Sequence, residues 1–200
     1  MQGPIAEAFT EAAEWLVSLA SDVPDDAWDQ PGLGVWDVRS LLGHGARALA
    51  TVEDYVAKPA ARIDVPSAVD YFVGDALASP EAIAARGVAA GEALGPDPLT
   101  SVTALASRAT ALVASTPADA LLSTIAGGMS LESYLPTRTV ELIVHGCDLA
   151  TALELASEPP ERAAGAAARL LLEVHLRHGT LSALCLALAG RPITAEDLSI

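Results

Sequence analysis

The sequence has few aromatic residues, few basic residues and only two cysteines, and each shortage excludes a class of protein. Aromatic residues make up 4% of the 200 residues, and runs of β-branched residues are scarce, which argues against a fold built from strands. The formal net charge is −15, from 26 acidic and 11 basic residues. Such a surface repels phosphate backbones and anionic lipids, so we expect neither a nucleic-acid partner nor a membrane partner.

The small number of cysteines and the absence of long apolar runs indicate in which cellular compartment the protein is expected. Cys147 and Cys185 form neither a C-x-x-C pair nor a disulfide framework, which favours a reducing environment. The first residues lack the basic start and apolar block of a signal peptide, and the run TLSALCLALAG is too short to span a bilayer. These features predict a cytoplasmic protein.

The common catalytic motifs are missing as well. The chain contains no G-x-S-x-G nucleophile elbow, no G-x-x-x-x-G-K phosphate loop and no H-E-x-x-H zinc helix. It also lacks the pair of Glu-x-x-His helices that marks a di-iron bundle. A function therefore has to be sought in a less common arrangement of residues.

Alanine and leucine are abundant, and both favour helix. Apolar residues spaced three and four apart, together with Pro, Gly and capping residues, predict the main elements. We expect no internal repeat, and one domain over residues 1–200. The predicted four-helix core comprises helices near residues 5–20, 37–56, 98–115 and 136–156.

Several local signals refine these elements. Asp37 is a suitable N-cap for the second helix, and Pro136 is expected in the first turn of the fourth, where proline is tolerated. Residues 67–94 read as one helix broken at Ser79-Pro80, and two further helices are expected near 160–178 and 182–189. The segment LLSTIAGGMSL predicts either a small hairpin or an extended loop.

One helix carries a polar stripe. Projected at 100° per residue, Arg138, Glu141, His145 and Asp148 share a narrow face bordered by apolar residues. This face should point into the bundle, where charges need partners. Glu141 and His145 lie one turn apart and can hold the same zinc ion. His44 is the best third ligand, because it is the only other histidine in the middle of a helix with polar neighbours.

A structural role for these residues stays open at this point, because Glu–His pairs at this spacing also occur on ordinary helices. Arg138 and Asp148 are expected to support the ligands or to form salt bridges rather than to bind metal. His175 and His178 lie near a helix end and are expected at the surface or as capping residues. Cys147 should point away from the stripe and be packed and inert.

Two segments together resemble a known family. VPDDAWDQPGLGVWDVRSLLGHGARAL and GGMSLESYLPTRTVELIVHGCDLATAL are similar to the loop, tryptophan and second helix, and to the R-T-x-E-L-x-x-H-G-x-D-L helix, of the mycothiol-dependent maleylpyruvate isomerases. This family belongs to the wider DinB-like superfamily. The resemblance implies an all-α, antiparallel four-helix bundle with extra short helices, and one divalent metal held by His44, Glu141 and His145.

The chain departs from the family pattern near two of these residues. Cys147 stands where the family usually has tryptophan. Gly43 and Gly45 flank His44, where the family prefers bulkier residues. We expect these glycines to widen or loosen the pocket.

Two functional hypotheses follow. Zinc, or nickel in its place, with three protein ligands keeps a position open for a low-molecular-weight thiol such as mycothiol. The metal would deprotonate that thiol for attack on a small electrophile, in a transferase or isomerase reaction. Alternatively, the metal only ties two helices together or serves as a sensor. A fourth protein ligand would favour the structural or sensor role, whereas an open coordination position in a cleft would favour the thiol-dependent enzyme. The sequence leaves the oligomeric state open, and a homodimer is one alternative.

Overall fold

The computed structural model describes residues 3–74 and 79–194. These residues form helices and two small antiparallel hairpins, which confirms the predicted all-α class. The elements are α1 (Pro4–Ser21), β1 (Pro31–Leu33), β2 (Trp36–Asp37), α2 (Val38–Val56), α3 (Ala68–Val73), α4 (Pro80–Ala93), α5 (Pro98–Ser115), β3 (Leu121–Thr124), β4 (Gly127–Ser130), α6 (Leu131–Ala152), α7 (Glu161–His178) and α8 (Leu181–Leu188).

The predicted four-helix core is confirmed, and it consists of α1, α2, α5 and α6. Helices α1 and α2 each pack against both α5 and α6. The starts of α1 and α6 meet the end of α5 around Pro4, Leu131 and Val113. Thr51, late in α2, bonds to Tyr134, early in α6. Hence α1 and α6 run in one direction, and α2 and α5 run in the opposite one.

The buried face of each core helix explains why the bundle forms. Phe9, Leu16, Leu42, Leu49 and Leu142 are each no more than 1% exposed. Burying one such side chain contributes about 1.5–3 kcal/mol before chain entropy is subtracted. Helix α4 adds a layer against α2, and α7 adds one against α6, so the site helices α2 and α6 are supported from both sides.

The glycines beside His44 do not widen the pocket, contrary to the expectation from the family pattern. A Cβ atom at Gly43 would collide with the backbone of Gly91 in α4. A Cβ atom at Gly45 would lie 3.2 Å from Cβ of His145. The missing side chains therefore allow close helix packing on both sides of α2.

Helix α6 begins earlier and ends earlier than predicted. Its N-cap is Ser130, whose side chain accepts a hydrogen bond from the backbone N–H of Ser133. Pro136 consequently lies inside the helix, where it removes one backbone hydrogen bond. The helix stops at Ala152, and Glu154 then adopts a φ of 52°. The predicted first-turn position of Pro136 is wrong because the serine provides the stronger cap.

Of the two alternatives for residues 121–130, the hairpin is correct. Strands β3 and β4 pair antiparallel around Ile125 and Ala126, and the glycine pair lies in β4. Gly127 has a φ of +126°, and a Cβ atom at Gly128 would collide with the carbonyl oxygen of Arg62. The glycines are thus required by backbone conformation and by close approach, not by the turn itself.

Two further segments affect the site. The loop before α2 contains the hairpin β1–β2, which places Trp36 directly before that helix. The predicted break at Ser79-Pro80 is confirmed, since Ser79 caps α4; residues 75–78, which the prediction also covered, lie outside the described residues. Within the described ranges, no helix is long and apolar enough to cross a membrane.

Candidate metal centre

The three predicted ligands converge at the contact between α2 and α6. One potential ligand atom from each of His44, Glu141 and His145 lies within 4.8 Å of the others. Nε2 of His145 is 3.3 Å from Oε2 of Glu141. The two imidazole rings are nearly perpendicular, with centroids 4.7 Å apart. The structure therefore brings together the whole set of residues that the sequence indicated.

The packing of α2 on α6 explains this convergence. Glu141 and His145 share a face because they are one helical turn apart. The hydroxyl of Tyr134 donates to Oγ1 of Thr51 over 2.9 Å. This contact joins the two antiparallel helices in a register in which His44 lies opposite His145.

Asp148 supports His145 from the side away from Glu141. Its Oδ2 atom lies 3.1 Å from Nδ1 of His145. A carboxylate at this nitrogen holds the imidazole so that Nε2 faces the other ligands, as is common around metal-binding histidines. Asp148 thus has the supporting position that its place on the polar stripe predicts.

Arg138 lies further along the same stripe and is almost fully buried. Its guanidinium packs against the rings of Tyr71 and Tyr134, at 5.3 and 4.9 Å from their centroids. Its Nε donates to Oγ1 of Thr137 over 3.0 Å. Arg138 makes no ion pair within the described part of the chain, so the salt-bridge role expected for it is not observed.

Trp36 is a site residue that the periodicity analysis missed. Its ring stacks on His44 with centroids 4.4 Å apart, and its indole N–H donates to the carbonyl of Ala84 over 2.9 Å. A Cβ atom at Gly87 would overlap the indole, so the indole can pack against α4 at this position because the residue is a glycine. The one signal for Trp36 in the sequence is its place in the family-like segment, directly before the second helix.

The three ionisable groups hold different protonation states in the metal-free site. Burial, reinforced by the charge of His145, lowers the pKa of His44 to about 4. Burial also opposes a charge on His145, yet its hydrogen bonds to Asp148 and Glu141 raise its pKa to about 9. For Glu141, burial is outweighed by the His145 hydrogen bond and the Arg138 charge, and its pKa falls to about 2. At neutral pH, His44 is therefore neutral, Glu141 is ionised and His145 carries the additional proton of an imidazolium.

These residues fit a divalent cation. Two imidazoles and one carboxylate suit zinc, and imidazole also suits nickel. Nδ1 of His44 is buried and lacks a hydrogen-bond partner among the described residues. The cluster of potential ligands in the described ranges contains three residues, and it borders a cavity of about 360 Å³. The arrangement can therefore hold a cation that keeps a position open towards this cavity.

The remaining candidates lie elsewhere. His175 is buried rather than at the surface, and its Nδ1 lies 2.6 Å from Oγ1 of Thr180 at the end of α7, as a capping residue would. His178 is exposed, as expected. Cys147 lies outside the ligand cluster but is exposed, so its predicted packing is wrong. Partial burial and the charge of nearby Asp148 raise the pKa of this thiol.

Comparison with known families gives a match over most of the chain. A family model described as the mycothiol maleylpyruvate isomerase N-terminal domain matches residues 9–150. This range includes all three candidate ligands and Trp36. Comparisons with curated proteins and with solved structures found no match.

Proposed function

The chain belongs to the mycothiol maleylpyruvate isomerase N-terminal domain family, and we propose that it binds one divalent metal ion through His44, Glu141 and His145. Zinc is the proposed ion, with nickel as a substitute. The convergence of three potential ligand atoms within 4.8 Å supports this proposal. The ionised Glu141 and the neutral His44 are already in the state that coordination requires.

We further propose that the centre activates a low-molecular-weight thiol, of the mycothiol type, for transfer to a small electrophile or for an isomerisation. A bound cation would stabilise the thiolate and act as a Lewis acid. The supporting observation is the ligand set of three beside a cavity of about 360 Å³. A purely structural zinc site generally has four protein ligands, so this observation favours the enzyme over the non-catalytic module.

The surrounding residues have distinct roles in this proposal. Asp148 accepts a hydrogen bond from Nδ1 of His145 and keeps Nε2 directed at the ion. Trp36 covers one face of His44 and keeps water from it. Arg138 lowers the pKa of Glu141 and so keeps this ligand ionised.

Calorimetry with metal-loaded and metal-stripped protein tests the function. Mycothiol, bacillithiol and glutathione are titrated into both forms, and at least one thiol should bind only the loaded form. Cobalt-loaded protein adds a spectroscopic readout, because coordination of a thiolate changes the visible spectrum of the cobalt centre. If cobalt binds but no thiol alters its spectrum, the thiol-dependent reaction is refuted in favour of the non-catalytic module.

A further inference from the structure

Three arginines line the cavity beside the ligand cluster. They are Arg47 of α2, Arg86 of α4 and Arg138 of α6, whereas Glu141 is the one acidic residue among the described residues that line it. This concentration of positive charge occurs in a chain with 26 acidic and only 11 basic residues. The cavity is therefore far more positive than the rest of the protein, and a divalent cation would add to this charge.

Among the described residues, Arg47 and Arg86 have no acidic partner. Four other arginines pair with carboxylates, namely Arg62, Arg108, Arg162 and Arg177. Neither Arg47 nor Arg86 makes such a pair with the described residues. Both are half-buried, and the Nε atom of Arg86 donates to the carbonyl of Ala82 over 3.1 Å. The ends of both guanidinium groups thus remain available, in a place where an anion would relieve their partial desolvation.

The same two arginines also line a second cavity. This outer groove has a volume of about 640 Å³ and lies between α2, α4 and α5, where most of its lining residues are small. Arg138 belongs only to the cavity at the ligand cluster. Arg47 and Arg86 consequently stand where the two cavities meet, within reach of any molecule that extends from the ligand cluster into the groove.

We propose that Arg47 and Arg86 form an anion-binding subsite between the metal-side cavity and the outer groove. The small molecule that this protein processes then carries a carboxylate or phosphate group remote from its reactive end. Guanidinium groups bind both anions through paired hydrogen bonds. The inference rests on the proposed function for the reactive end of the molecule, but the subsite itself needs no metal.

Inorganic phosphate and succinate are the probes, with succinamide as the neutral match for succinate. Each is titrated calorimetrically, at low ionic strength, into zinc-loaded and metal-stripped protein. We expect one phosphate or succinate per chain in both forms, and weaker binding by about tenfold or more in the Arg47→Gln/Arg86→Gln double variant. The control is Arg169→Gln, an exposed arginine of α7, which should bind like the wild type. The tighter of the two anions identifies the group.

Equal affinity of the wild type and the double variant would overturn the subsite, as would equal binding of succinamide or no binding of either anion. If the double variant does not fold by circular dichroism, the single variants Arg47→Gln and Arg86→Gln decide, each with an expected loss of affinity. Failure of the metal proposal is recognised separately: anion binding to the stripped protein would then persist without any uptake of zinc.

Discussion

Replacing His145 with alanine should destabilise the metal-free protein in a way that depends on pH. In the folded chain, the pKa of His145 is raised from 6.5 to about 9, against the effect of burial, by its hydrogen bonds to Asp148 and Glu141. This increase corresponds to about 3 kcal/mol of stabilisation, at about 1.4 kcal/mol for each tenfold change in proton affinity. The lowered pKa of Glu141 partly reflects the same ion pair, so its contribution to stability is not added to this figure.

The direction of the pH dependence follows from the raised pKa. The unfolded chain binds this proton less tightly, so the stabilisation is fully present below the unfolded pKa of 6.5 and is lost as the pH rises through about 9. His145→Ala should therefore cost about 3 kcal/mol more at about pH 6 than at about pH 10. The lost packing of the imidazole adds a part that does not change with pH.

Denaturant unfolding of the stripped wild type and variant at both pH values measures this difference. His178→Ala is the matched control, because His178 is a histidine exposed at the end of α7, and its effect should be small at both pH values. A destabilisation by His145→Ala that is the same at both pH values would refute the ion pair as its cause. An equal effect of the two variants would place His145 outside the buried cluster.

The remaining predictions concern the metal and the packing around it. Elemental analysis of untagged protein reloaded with zinc should find one ion per chain in the wild type and in His178→Ala, and none in His44→Ala. Zinc retained by His44→Ala would show that His44 is not a ligand. Zinc affinity should rise by about tenfold per pH unit from neutrality to the pKa of His145, because binding displaces one proton; a competition assay that finds no change with pH would contradict this. Gly43→Ala should lower the free energy of unfolding by about 1–3 kcal/mol, because the new Cβ atom would collide with α4. Gly165→Ala is the control and should not be destabilising, because its Cβ atom would meet no atom closer than 3.6 Å. Equal unfolding midpoints of the two variants would be inconsistent with this packing.

Features that depend on neighbouring residues could be predicted from the sequence. The bounds of α2 and α5 agree with prediction within a residue or two, because apolar spacing and the caps Asp37 and Asp97 act locally. The pairing of Glu141 with His145 follows from the helical repeat alone. Where two local signals competed, prediction failed: Pro136 suggested a helix start, but the capping serine before it determined the start.

The tertiary structure decided how residues of other helices are arranged around that pair. The approach of His44 depends on the register of α2 against α6, and the stacking of Trp36 depends on where α4 lies. Likewise, Arg47 and Arg86 are far apart in the sequence and share a cavity only because α4 packs on α2. Contacts of this kind are set by the packing of several helices at once, which no periodicity within one helix can specify.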